Sequence, residues 1–220
     1  MFCECRDIRV RYGRSVVLDI DRLEIPDGRI TGVVGLNGAG KTTLLEVISL
    51  LRRPTWGELR LWGRPADGHA AGLRGDVVLV MHPGYLFRGG VWGNVLYGLK
   101  ARGIRGAAAE ARATEALRHV GMAGFARRDA AHLSAGERQR VNLARAIAIA
   151  PRAILLDEPT ANVDCQTVEV IRRLLRELRD ERGMTIVHTS PAGSALAEIT
   201  DHFIELRNGR AHGPAGTGRP

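Results

Sequence analysis

The stretch Gly35-Leu36-Asn37-Gly38-Ala39-Gly40-Lys41-Thr42-Thr43 constrains this chain more than any other. It fits the pattern G-x-x-x-x-G-K-[ST], and its flanks are the ones that pattern needs. Ile30-Thr31-Gly32-Val33-Val34 before it has the length and apolar character of a strand. Leu44 to Leu51 after it has helical spacing. Glycines let a backbone close around phosphate oxygens with its N–H groups turned inward. A helix starting near Lys41 adds its positive end to the same anion site. In such a loop Lys41 reaches the β- and γ-phosphates, and the Thr42 hydroxyl is a ligand for Mg²⁺. A glycine-rich turn arising by chance is the bland alternative, and the flanking strand and helix count against it.

A second anchor is Ala153-Ile154-Leu155-Leu156-Asp157-Glu158-Pro159-Thr160. A short apolar run bounded by charge and proline reads as a buried parallel strand. Its two carboxylates then emerge at the C-terminal edge of the sheet, where α/β proteins place their ligands. Asp157 is suited to hold Mg²⁺ through water, and Glu158 to polarise a water that attacks a γ-phosphate. The third anchor is Leu133-Ser134-Ala135-Gly136-Glu137-Arg138-Gln139-Arg140. Ser134 is a good N-cap for a helix through Val141, Leu143, Ala144, Ile147 and Ala148.

These three segments, in this order, resemble the nucleotide-binding subunit of ATP-binding cassette (ABC) transporters, over about residues 3–210. The resemblance implies an α/β fold, a P-loop NTPase cassette of ABC type. Its parts are a parallel-sheet core, an antiparallel β subdomain and a smaller helical lobe at about 85–150. Residues 1–212 form a single domain on this reading, and 213–220 a disordered Gly/Pro-rich tail. Gly35, Asn37, Gly38, Ala39, Gly40, Lys41, Thr42 and Thr43 match the family's Walker A loop. Leu133 to Glu137 is similar to its signature motif, with Ala135 where glycine is usual. Ser134, Gly136 and Glu137 are therefore implied nucleotide contacts. Ala161-Asn162-Val163-Asp164 is similar to the family's D-loop, which brings Asp164 into the set. Tyr12 sits where the family stacks an aromatic on adenine; an ordinary strand tyrosine is the other reading.

In that family two cassettes face each other head to tail, each ATP lying between the phosphate loop of one and the signature helix of the other. The resemblance therefore implies ATP and Mg²⁺ as ligands and a second cassette, identical or not, as partner. It further implies transmembrane permease subunits, through them a solute-binding protein, and a cytoplasmic place on the inner face of the membrane. Pro54-Thr55-Trp56-Gly57, Tyr85-Leu86-Phe87 and the D-loop look most like importers of tungstate, molybdate and related anions. Phe87, Val91, Trp92 and Tyr97 are either anchors for a permease helix or core residues of the lobe.

Two positions depart from the family. A glutamine usually stands at the junction of the subdomains, and here the chain reads Val80-Met81-His82-Pro83-Gly84-Tyr85. Counting back from Pro83 selects Met81; counting back from Tyr85-Leu86-Phe87 selects His82. Met81 has no oxygen to offer a metal, whereas His82 can hydrogen-bond. Near the last strand the family carries a histidine that touches the γ-phosphate. Counting back from Asp201-His202-Phe203-Ile204 puts Pro191 there, with His188 three residues early. His188 is then either a structural strand residue or, with the loop re-registered, a catalytic one. Proline has no N–H to give a phosphate. The alternative to a working ATPase is thus a slow or non-catalytic regulatory cassette paired with a competent one.

Composition closes off other classes. No run approaches the roughly 20 apolar residues of a membrane span, and the N-terminus is charged where a signal peptide needs an apolar core. Cys3, Cys5 and Cys165 make no disulfide framework. The net charge of +8 lies largely in arginines on a solvated helix face, such as Arg172, Arg173, Arg176 and Arg179. Without interleaved aromatics it does not read as a nucleic-acid groove. Helices are expected at about 41–51, 91–100, 107–120, 134–150, 163–181 and 193–200. Strands are expected through 3–34 and at 58–62, 76–81, 153–157, 184–188 and 202–206.

Overall fold

The computed structural model describes residues 1–66, 72–191 and 195–212. The expected tail 213–220 lies outside them. The chain opens with β1 (Cys3–Tyr12) and β2 (Ser15–Ile25), an antiparallel pair. With β4 (Trp56–Leu61) and β5 (Arg64–Pro65) they make a four-stranded sheet ordered β2-β1-β4-β5. The second sheet takes β3 (Ile30–Val34), β6 (Val77–Val80), β7 (Ala153–Leu156), β8 (Thr185–Ser190), β9 (His202–Arg207) and β10 (Arg210–His212), in the order β10-β9-β3-β8-β7-β6. Its neighbours run parallel except β9 and β10. β7 and β8 are buried along their whole length. That is why they read as continuous apolar runs rather than as an alternation.

Two cores lie on opposite faces of the parallel sheet. One packs α1 (Lys41–Ile48) between the two sheets, through Leu44, Leu45 and Ile48 against Val33, Leu155, Val187 and Leu18. The other packs Ile30, Ile154, Leu156 and Ile186 under the helices α2 (Val91–Ala101), α3 (Gly106–His119), α4 (Ala135–Ala148) and α5 (Cys165–Arg182). Helix α5 has the 3.6-residue pattern that puts Ile171, Leu174, Leu175 and Leu178 inside and its arginines outward. Asp164 accepts from Thr167 N at its start, and Gly183, at φ 58°, ends it in the left-handed conformation.

Three expectations are corrected here. Helix α1 stops at Ile48, because Ser49 caps it and Leu50 turns left-handed at φ 62°. The helix expected at 193–200 is not one: residues 192–194 are outside the described set, and Ala197–Ile199 is a single 3₁₀ turn. The strand β10 was missed, although Asn208-Gly209, both at positive φ, is the two-residue hairpin turn that announces it. That hairpin buttresses the phosphate loop, since Gly209 N donates to Ala39 O at 3.0 Å.

Candidate functional site

Gly40 stands at the end of the loop, at φ 100°, and hands the chain to α1 with its carbonyl accepting from Leu44 N. A Cβ there would lie 2.8 Å from Leu18 Cδ2, so both conformation and space require glycine. Lys41 follows at once and is buried to 5% exposure. Its Nζ donates to Gly35 O at 2.9 Å and Leu36 O at 3.2 Å and stands 3.5 Å from Glu158 Oε1. These contacts tie the ammonium to the loop's own carbonyls. Phosphate oxygens entering the loop would replace those carbonyl contacts.

The strand edge supplies the other half. Asp157 is buried and accepts from Thr42 Oγ1 at 2.8 Å through Oδ2, and from Thr189 Oγ1 at 2.7 Å through Oδ1. Thr189 Oγ1 also accepts from Glu158 N at 2.9 Å. Glu158 has φ 42°, an uncommon conformation outside glycine. The chain turns sharply there, and the turn places its carboxyl beside Lys41. Thr189 was missed in the sequence. The available signal was the period-two alternation of β8, which sends Val187 and Thr189 to the α1 side while His188 goes to the other.

Val17, Asn37, Gly38, Gly40, Lys41, Thr42, Thr43, His82, Asp157 and Glu158 line one cavity of about 390 Å³. Of the two switch candidates, His82 therefore reaches it. Met81 is 47% exposed and lines a different groove. His188 is buried in β8 and absent from the cavity lining, as the structural of its two readings has it. Its Nε2 meets Thr200 Oγ1 at 2.8 Å, and Thr200 in turn donates to Leu196 O. Burial pushes its pKa down to about 4, so it stays neutral. Pro191 follows β8 directly and is exposed.

Ser134, Gly136, Glu137 and Asp164 form a separate cluster where α4 and α5 begin. Ser134 N donates to Glu137 Oε2 at 2.7 Å and Glu137 N to Ser134 Oγ at 3.2 Å, a complete capping box. The Ser134 N–H holds the Glu137 carboxyl below its ordinary range. A Cβ on Gly136 would lie 2.6 Å from Thr167 Oγ1 and 2.9 Å from Asp164 Oδ2, so the two helix starts meet only because residue 136 has no side chain. Tyr12 is 45% exposed and does not line the cavity; the Arg52 guanidinium lies 4.5 Å from its ring centre. Arg52 is itself fixed by Glu46 at 2.6 Å.

The lobe residues divide. Val91 is fully buried and Trp92 packs against the core. Phe87 and Tyr97 reach the surface with Tyr85, with ring centres 4.4 Å and 5.7 Å apart in the pairs Phe87–Tyr97 and Tyr85–Phe87. They border a groove of about 560 Å³ with Met81, Pro83 and Ile149. Cys3 and Cys5 lie buried with their Sγ atoms 3.8 Å apart. Among the described residues no helix is long and apolar enough to cross a membrane.

A buried lysine in a glycine loop, facing an Asp-Glu pair at the edge of a parallel sheet, defines a phosphate-loop nucleotide-binding protein. The family model described as ABC transporter matches residues 18–161, and the chain belongs to that family as one of its ATP-binding domains. It is 36% identical over 204 residues to the tungstate uptake system ATP-binding protein of Peptoclostridium acidaminophilum, covering 93% of this chain and 94% of that one. It is 36% identical over 205 residues to a sulfate/thiosulfate import ATP-binding protein of Mycolicibacterium paratuberculosis, covering 93% of this chain but 57% of that one. Among solved structures it superposes with a TM-score of 0.87 on a dimeric ATP-binding cassette in a post-hydrolysis state with ADP and Pi, at 28% identity over 99% of this chain and 100% of that one.

Proposed function

We propose that this chain binds and hydrolyses ATP to drive an importer of an oxyanion such as tungstate, working as one of two cassettes beneath membrane permease subunits. The observation that carries the reading is the convergence of Lys41, Thr42, Asp157 and Glu158 at one cavity, with Thr189 bonded to Asp157 and to the Glu158 N–H from behind. The Lys41 ammonium and the loop N–H groups hold the β- and γ-phosphates. Thr42 Oγ1 and the Asp157 carboxylate are hard oxygen donors side by side, a set that fits Mg²⁺ arriving with ATP. Bound there, the ion would neutralise charge on the phosphate oxygens. Glu158 takes the proton from the attacking water as its oxygen bonds to the γ-phosphorus and the bond to the β–γ bridging oxygen breaks, with ADP leaving. Thr189, through its one hydroxyl, holds the Asp157 carboxylate and the backbone N–H of Glu158.

The cluster of Ser134, Gly136, Glu137 and Asp164 shares no residue with that cavity. This fits a signature surface that completes the site of a facing cassette, so that ATP becomes part of the interface. Tyr12 would stack on adenine through the ring face opposite Arg52. Tyr85, Phe87 and Tyr97 are the apolar anchors for a permease helix, while Val91 and Trp92 support them from inside. The oxyanion assignment rests on the tungstate relative, which this chain matches nearly end to end.

The test is Mg²⁺-dependent ATP turnover beside Glu158→Gln. We expect the variant to keep nucleotide binding and to lose roughly a thousandfold in kcat. Equal turnover would remove Glu158 from its role. Wild-type protein that binds ATP without turning it over would overturn the motor reading. Uptake of tungstate that persists in cells lacking the chain would overturn the substrate.

A further inference from the structure

A second cavity adjoins the nucleotide site and lacks its carboxylates. It measures about 360 Å³ and is lined by the 82–84 segment, by Ala135, Arg138 and Gln139 of α4, and by residues 161–163. His82 lines both spaces. The nucleotide cavity is lined by two carboxylates, Asp157 and Glu158, and by Lys41, whose ammonium stands 3.5 Å from Glu158 Oε1. Among the described residues no carboxylate lines the second, whereas Arg138, Gln139 and His82 do; one guanidinium nitrogen of Arg138, Nη2, donates to Leu133 O at 3.1 Å. The acidic neighbours in sequence are turned elsewhere. Glu137 binds Ser134 N and pairs with Arg128, and Asp164 binds Thr167.

Gln139 is the unexplained group. It is 95% buried by its exposure of 5%, yet its Nε2 has no hydrogen-bond partner. Its side chain reaches the 82–84 segment, where a Cβ on Gly84 would lie 3.4 Å from its Oε1. Burying an amide without a partner is unfavourable, so a polar group entering this space would find a donor waiting.

We propose that this second cavity is a way station for inorganic phosphate leaving the site after ATP cleavage. The proposal rests on the hydrolysis reading above. Once the β–γ bond is broken, the phosphate is a free dianion facing Asp157 and Glu158, which repel it. One step away, past His82, lies a space with no carboxylate, one guanidinium and an amide in want of a partner. Its volume holds a phosphate with several waters, each needing roughly 30 Å³. The route opens beside the signature helix, so phosphate departure and loosening of that helix would be linked.

Two measurements test this, on Gln139→Leu and on Arg138→Gln, a milder change in a half-buried residue. In single turnover, cleavage is read by rapid quench and free phosphate by a fluorescent phosphate sensor. We expect cleavage to keep its rate and phosphate release to slow on the order of tenfold, the loss of one hydrogen bond to a charged group. Unchanged release beside intact cleavage in both variants overturns the proposal. The second measurement needs no turnover: inorganic phosphate is titrated into the ADP-bound chain and followed by ³¹P line broadening. Saturable binding that weakens about tenfold in the variants supports the site. Binding that is absent, or indifferent to both substitutions, overturns it, whether or not the chain hydrolyses ATP.

Discussion

His188 and Thr189 are neighbours in one strand and belong to different regions of the molecule. Thr189 faces the phosphate-loop edge, where its hydroxyl bonds the Asp157 carboxylate on one side and the Glu158 N–H on the other. His188 faces the helical side. It lies against Gly32 and Phe203, with one ring nitrogen on Thr200 and Nδ1 unpaired. A single step along a β-strand exchanges the two environments. The difference teaches that a histidine near the expected place in sequence is no substitute for one on the right face. The same edge contains His82, which follows the strand β6 and reaches the cavity.

The largest effect belongs to the buried side. His188 has a folded-state pKa of about 4, against about 6.5 in an unfolded chain. Between those values the unfolded chain takes up a proton that the folded one refuses. Stability present above pH 6.5 is therefore lost as the pH falls, and the loss from this residue is complete near pH 4, at about 3 kcal/mol. Urea unfolding of wild type and His188→Gln between pH 7 and 4 measures it. A variant whose stability falls as steeply as wild type would break the contrast. On the open side, Thr189→Val removes the hydroxyl that holds the Asp157 carboxylate and the Glu158 N–H, and kcat should fall about thirtyfold with nucleotide affinity nearly kept. A proportional loss of affinity instead would make Thr189 a binding residue. Smallest of the three, His82→Ala should lower kcat by about fivefold without moving the melting temperature. If His82 proved inert and Met81→Ala did not, the count from Pro83 would have been the right one.

Much of the nucleotide site was legible in advance because its parts are contiguous in sequence. Gly35 to Thr43 is one loop, and Asp157-Glu158 ends one strand. The chemistry of each fragment depends on a backbone shape that local residues dictate. Thr189 was not legible, since its role exists only where β8 lies beside β7 and their alternations are in phase. The choice between Met81 and His82 was open because two landmarks gave two registers; which of the two lines the cavity, His82, depends on how the 82–84 segment packs. The lobe face divided as burial required, with Val91 inside and Phe87 and Tyr97 outside, a distinction that apolar composition does not carry.

The sequence by itself determined the phosphate loop, the Asp-Glu edge, the capped signature helix and hence the family, because glycine conformation, strand hydrophobicity and helix capping are local. The tertiary structure decided which side chains share a cavity. It set Thr189 on Asp157, His82 at the mouth, His188 in the core and Gln139 beside an unfilled space. Those relations join residues far apart in the chain, and their energies come from burial and hydrogen bonding that exist only once the sheet and the lobe have packed.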